Sequence, residues 1–184
     1  LAAKTLSKVA IPKRVLIVSP RHTPHGTDFA LAPHGVWGLP GKNVNSDPEW
    51  ARRLAEQVDA FELDASAHAD EHSIEVQLPI LARLADAPKI VGLTVARPSL
   101  ETLQEAAKQL ADAISEMETP PLLVVSTDMN HFADLETTKR VDALALDAIE
   151  ALDPFRLYNT VNDNEISMCG VSGCVLFMET LKHL

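Results

Sequence analysis

The sequence predicts a single α/β domain with a mainly parallel or mixed central sheet flanked by helices, and two observations carry that prediction. Short apolar runs of strand length recur at Arg14–Ser19, Lys89–Val95 and Leu122–Ser126, each rich in Val, Leu and Ile, as a strand buried on both faces requires. Longer amphipathic segments separate them, and alternation of this kind places helices over a sheet. The chain of 184 residues is 46% hydrophobic and 23% charged, which suits one core of ordinary domain size without disulfide staples.

Each element follows from local chemistry. Leu1 to Ala10 has helical periodicity and stops before Pro12, but no N-cap precedes it. The first strand runs into Pro20–Ser46, the longest irregular segment, which holds His22, His25 and His34 among glycines and prolines that shape a wall. Asp47-Pro48-Glu49 is a helix start, a capping carboxylate before proline at the first helical position. Ser73–Leu84 is helical in pattern, with Pro79 either near its start or kinking it. Ser99 opens a helix with Leu103, Ala106, Ala107 and Leu110 on one stripe. Asp134–Leu152 and Pro154–Val161 are further helices, and the last helix reaches Leu184 without a glycine or proline stop. The chain therefore reads as lacking segments at both ends.

Charge and cysteine usage narrow the function classes. Sixteen basic residues against 26 acidic ones leave a formal charge of −10, which disfavours a nonspecific grip on nucleic acid or anionic membrane. No apolar run reaches membrane-spanning length, and no secretory leader opens the chain. Cys169 and Cys174, five apart in what reads as one helix, diverge in direction and do not pair. A cytosolic, reducing compartment is the expectation.

Four polar clusters gather the chemistry. In open α/β sheets ligands bind beyond the carboxyl ends of strands, where Ser19-Pro20-Arg21-His22 and Ser126-Thr127-Asp128-Met129-Asn130-His131 both fall. His22 is a metal ligand or a hydrogen-bonded structural residue; Asp128 orients His131 or caps a helix. In Asp70-Glu71-His72-Ser73-Ile74-Glu75 acids crowd a histidine suited to general acid or base work, and the plainer reading is a capped turn with solvated acids. Cys169, in Met168-Cys169-Gly170-Val171-Ser172-Gly173-Cys174, stands at a helix N-terminus, whose dipole favours a nucleophile or soft metal ligand; Cys174 reads as core. The small residues around Cys169 also let the helix approach the sheet closely. No phosphate loop, dinucleotide fingerprint or structural zinc spacing occurs. Iron, copper, zinc or no metal all remain compatible with such a crevice.

At these four clusters the sequence resembles the Memo family, whose prokaryotic members are called AmmeMemoRadiSam system protein B. Asp70-Glu71-His72-Ser73-Ile74-Glu75-Val76-Gln77-Leu78-Pro79 is the most specific match, supported by Ser19–His22, Ser126–His131 and Cys169-Gly170. The resemblance implies a fold similar to class III extradiol dioxygenases. It implies His22 and Cys169 as metal ligands, and Asp128 and His131 as polar residues of the same pocket, with His72 matching the signature histidine. A third ligand, the histidine of a Pro-His-Ala-Gly segment, belongs upstream of Leu1, and Thr127 stands where many relatives have serine. The reading that follows is a metal-dependent oxidoreductase or dioxygenase-like enzyme holding iron or copper and acting on a small molecule, with His72, Asp128, His131 and Cys169 catalytic. The alternative is a peptide or phosphopeptide binding module, a role assigned to animal Memo proteins. A metal-free hydrolase using the Cys169 thiolate is a third, weaker reading.

Overall fold

The computed structural model describes residues 1–184. Its strands are β1 (Arg14–Pro20), β2 (Phe29–Leu31), β3 (Val36–Leu39), β4 (Lys42–Asn45), β5 (Glu62–Leu63), β6 (Lys89–Val95) and β7 (Leu122–Val125). Its helices are α1 (Ala2–Leu6), α2 (Pro48–Gln57), α3 (Leu78–Leu84), α4 (Leu100–Ser115), α5 (Leu135–Glu150), α6 (Pro154–Asp163) and α7 (Val171–His183). Five strands form one sheet in the order β5-β2-β6-β1-β7. β1 lies parallel to both β6 and β7, whereas β2 runs antiparallel to β6. The sheet is thus mixed and helix-flanked, as the alternation of runs predicts.

β1 shows why its sequence is continuously apolar. Leu16 and Val18 enter a large cluster with α2, α4, α6 and α7, while Val15 and Ile17 enter a smaller one with α3 and Trp37. With both faces covered, alternation has no reason to appear, and each such side chain contributes roughly 2 kcal/mol by leaving water. Four helices start on the residues their sequence marks: Asp47, Ser99, Asp134 and Asp153 each accept the backbone N–H three residues on. No helix is long and apolar enough to cross a membrane.

Three expectations change. Pro20–Ser46 is not one irregular wall, because it contains β2 and the β3–β4 hairpin. β2 has only three residues, too few to show a period. The hairpin turns at Pro40-Gly41, where Gly41 takes a φ of +73° that a side chain would resist. The Ser73–Leu84 segment is a short 3-10 turn at Glu75–Gln77 followed by α3, with Pro79 in the first turn where its missing N–H costs nothing. Cys169 precedes α7, whose N-cap is Gly170, so the two cysteines do not share a helix; both are free thiols.

Beneath the strand ends lies His68, 6% exposed. Its Nε2 donates to the Ala30 carbonyl at 3.0 Å, and its Nδ1 accepts from the Thr94 hydroxyl at 3.2 Å. Burial pushes its pKa from 6.5 down to about 4, against the hydrogen bond to Ala30. A histidine whose folded pKa lies below its unfolded one stabilises the fold fully at neutral pH and loses that contribution as the unfolded chain takes up the proton first. Chemical denaturation between pH 7.5 and 5 is expected to show stability falling by roughly 2 kcal/mol from this group. His68→Phe should remove that slope while lowering stability at pH 7.5.

Candidate functional site

At the carboxyl ends of β1, β6 and β7 the chain encloses a cleft of about 750 Å³, whose walls include His22, His72, Asp128, His131 and Cys169. His22 follows β1, Asp128 and His131 follow β7, His72 lies in the turn before α3, and Cys169 precedes α7. Parallel pairing of β1 with β6 and β7 brings these strand ends to one rim. A smaller cavity of about 260 Å³ lies at the other end of β1, beside the Arg14–Asp47 ion pair, and shares none of these residues.

One wall is organised by Glu71, whose side chain is only 1% exposed. Its Oε1 accepts from the backbone N–H groups of His72 and Ser73 at 2.9 Å and from the Ser73 hydroxyl at 2.7 Å. Its Oε2 accepts from the His22 N–H at 2.9 Å and from His22 Nδ1 at 3.0 Å. Burial opposes the charge, but the hydrogen bonds from Ser73 and His22 outweigh it and hold the Glu71 pKa at about 2. An ionised carboxylate only accepts, so His22 carries a proton on Nδ1, and in the neutral tautomer this selects the lone pair is on Nε2. The His72 ring stacks on His22 with centroids 5.3 Å apart. His22, Glu71 and His72 bring one potential ligand atom each within 4.8 Å of the others, with the Glu71 oxygens already taken up by hydrogen bonds.

The facing wall rests on the approach of α7 to the sheet. A Cβ on Gly170 would fall onto the Thr127 side chain and lie 3.0 Å from the Ser126 carbonyl; one on Gly173 would come within 2.8 Å of Val18. The expected close approach of this small-residue segment is present. It sets Cys169 Sγ where the Asp128 N–H donates to it at 3.1 Å, while the Gly170 N–H donates to Thr127 Oγ1 at 2.8 Å. His131 is anchored through Ser167, whose Oγ accepts the His131 N–H at 2.6 Å and donates to the His131 carbonyl at 2.9 Å.

The five predicted site residues therefore share one cleft, and the details differ from the sequence reading. Asp128 caps no helix, because Asp134 caps α5; its carboxylate lies 3.8 Å from His131 Nε2, an ion-pair distance rather than a hydrogen bond. Ser73 and Asp70 cap neither the 3-10 turn nor α3, and Glu71 instead receives the turn's N–H groups. Glu75 is exposed, as a solvated acid should be. His25 is exposed and lies outside the cleft. Sequence reasoning missed the organising role of Glu71, the anchoring of His131 by Ser167, and Arg97 on the cleft wall.

The family described as Memo-like protein matches this sequence over residues 1–184. The chain belongs to the Memo family. It is 33% identical to a MEMO1 family protein of Desulfurococcus amylolyticus, over 94% of this chain and 62% of that one. It is 32% identical to one of Methanopyrus kandleri, over 98% and 64%, and 34% identical to one of Thermotoga maritima, over 90% and 60%. This Memo chain thus spans a little under two thirds of the length of those relatives. A crystal structure described as an uncharacterized protein of Escherichia coli K12 superposes with a TM-score of 0.67 at 14% identity, covering 100% of this chain and 81% of that one. That likeness concerns the fold alone.

Gly170→Ala tests how the Cys169 wall is built. Overpacking against Thr127 is expected to lower stability by about 1–3 kcal/mol. Separation of Cys169 from the Asp128 amide should also raise the rate of Cys169 alkylation measured by mass spectrometry. An unchanged alkylation rate would show that Gly170 does not set the sulfur's position.

Proposed function

We propose that the cleft is the centre of a metal-dependent oxidoreductase acting on a small molecule, with His22 and Cys169 as protein ligands to iron or copper. The observation that carries this reading is the convergence of imidazole, thiol and carboxylate groups from four separated segments on one cleft. The donor set fits the group: imidazole and thiolate suit copper and iron, and His22 presents an Nε2 free of any protein hydrogen bond. Glu71 already receives five donors, so it acts by orienting His22, the carboxylate-to-histidine arrangement that fixes ring and tautomer at metal sites. When bound, such a metal supplies one-electron redox chemistry toward oxygen, peroxide or an organic substrate.

The remaining residues handle protons and position. His72, 69% exposed at its side chain and stacked on His22, is open to exchange protons between the cleft and solvent. His131 is less exposed and held by Ser167, so its Nε2 stays directed toward Asp128 and delivers or removes a proton on the Cys169 side. The binding-module reading keeps one observation of its own: Phe132, fully exposed, and Val76 give the cleft an apolar rim suited to a peptide side chain.

Elemental analysis of anaerobically prepared full-length protein separates the two readings. Iron or copper near one per chain is expected in the wild type, with affinity at least tenfold weaker in His22→Ala and in Cys169→Ser. Glu71→Gln should weaken metal binding about tenfold and also destabilise the fold by roughly 2 kcal/mol, because it turns an acceptor into a donor facing donors. Protein that takes up neither metal from ferrous or cuprous salts, yet binds peptide, overturns the redox reading.

A further inference from the structure

We propose that Arg97 is the anion-recognition residue of this cleft, so that its ligand carries a carboxylate or phosphate group. The proposal rests on the reading that this cleft receives the ligand, and it holds with or without a metal.

The backbone places Arg97 at the site. β1 and β6 pair in parallel up to Pro20 and Val95, and the Arg21 N–H continues the ladder to the Val95 carbonyl at 3.0 Å. His22 and Arg97 therefore leave adjacent strands on the same rim, and both line the cleft. The segment is stiff at both ends. The Ala96 N–H donates to the Asp28 carbonyl at 2.9 Å, and Pro98 disfavours helical backbone at Arg97 until Ser99 caps α4.

The side chains decide its role. Arg21, one residue before His22, has its guanidinium engaged by the Gly26 and Thr27 carbonyls and by Asp28 at 3.4 Å. Arg97 is exposed and has no ion pair or hydrogen bond within the chain. It is the only lysine or arginine on the cleft wall, and the one carboxylate there, Asp128, faces His131 instead. A chain of net charge −10 repels anions at long range, so an anionic ligand needs a local cation of this kind. A guanidinium free of partners offers a planar fork that binds carboxylate or phosphate oxygens in pairs.

The test titrates full-length protein with inorganic phosphate and, separately, with acetate, following binding by isothermal calorimetry and measuring metal content on the same samples. Saturable binding of phosphate assigns a phosphate-bearing ligand, and of acetate a carboxylate. Either should weaken about tenfold or more in Arg97→Gln, less in Arg97→Lys, and further with added salt. Metal content should equal that of the wild type in both variants, which separates loss of the anion site from loss of a metal site. If neither anion binds, or if Arg97→Gln binds both as tightly as the wild type, the proposal is wrong. Absence of metal together with Arg97-dependent anion binding would remove the redox reading and leave this one standing.

Discussion

The burial of one ionised carboxylate constrains the site more than any other interaction. Glu71 is withdrawn from water, and burial of an uncompensated charge would be prohibitive. Its compensation comes from the backbone and ring of His22 and from the turn at His72 and Ser73. Residues 49 positions apart are thereby held together, and the same bonds choose the tautomer of His22. The end of β1 and the turn before α3 cannot move independently without leaving that charge exposed to an apolar interior. Movement of either segment alone would break hydrogen bonds to a buried charge.

The facing wall obtains its rigidity differently, by contact rather than charge. Gly170 and Gly173 allow α7, buried from Val171 to Thr180, to lie directly on the ends of β7 and β1. The sulfur of Cys169 then faces the Asp128 amide, with the Thr127 hydroxyl and the Asp128 carbonyl slightly farther off. Two unrelated devices, a hydrogen-bonded carboxylate and a close helix-to-sheet approach, fix the two sides of one hollow. Function on a fold resides in such placements rather than in the fold itself.

Much of this was legible in the residues. Continuous apolar runs mark strands covered on both faces, and Asp47-Pro48, Ser99 and Asp134 mark helix starts because a side-chain acceptor at that point satisfies an otherwise free amide. β2 escapes notice since three residues show no period, and β3–β4 since each strand has only four residues and β4 is mostly polar and exposed. Glu71 was hidden for a physical reason: an acid beside other acids at a turn has the same local pattern whether solvated or buried. What distinguishes it is the arrival of His22 from 49 residues away. Arg97 carries no local signal either, because lacking a partner is a property of the folded neighbourhood and not of the sequence around it.

The polar contacts around His68 have a sense of direction. A carbonyl at Ala30 only accepts, so the ring proton sits on Nε2; Thr94 must then give its single hydrogen to Nδ1, and Ser19 must give its own to Thr94 across 3.3 Å. Two strand ends and a loop are joined by a wire that conducts orientation one way only. Adding a proton to the ring would turn Nδ1 into a donor and oblige the Thr94 hydroxyl to aim its hydrogen elsewhere, so the first link of the wire reverses with the charge on His68.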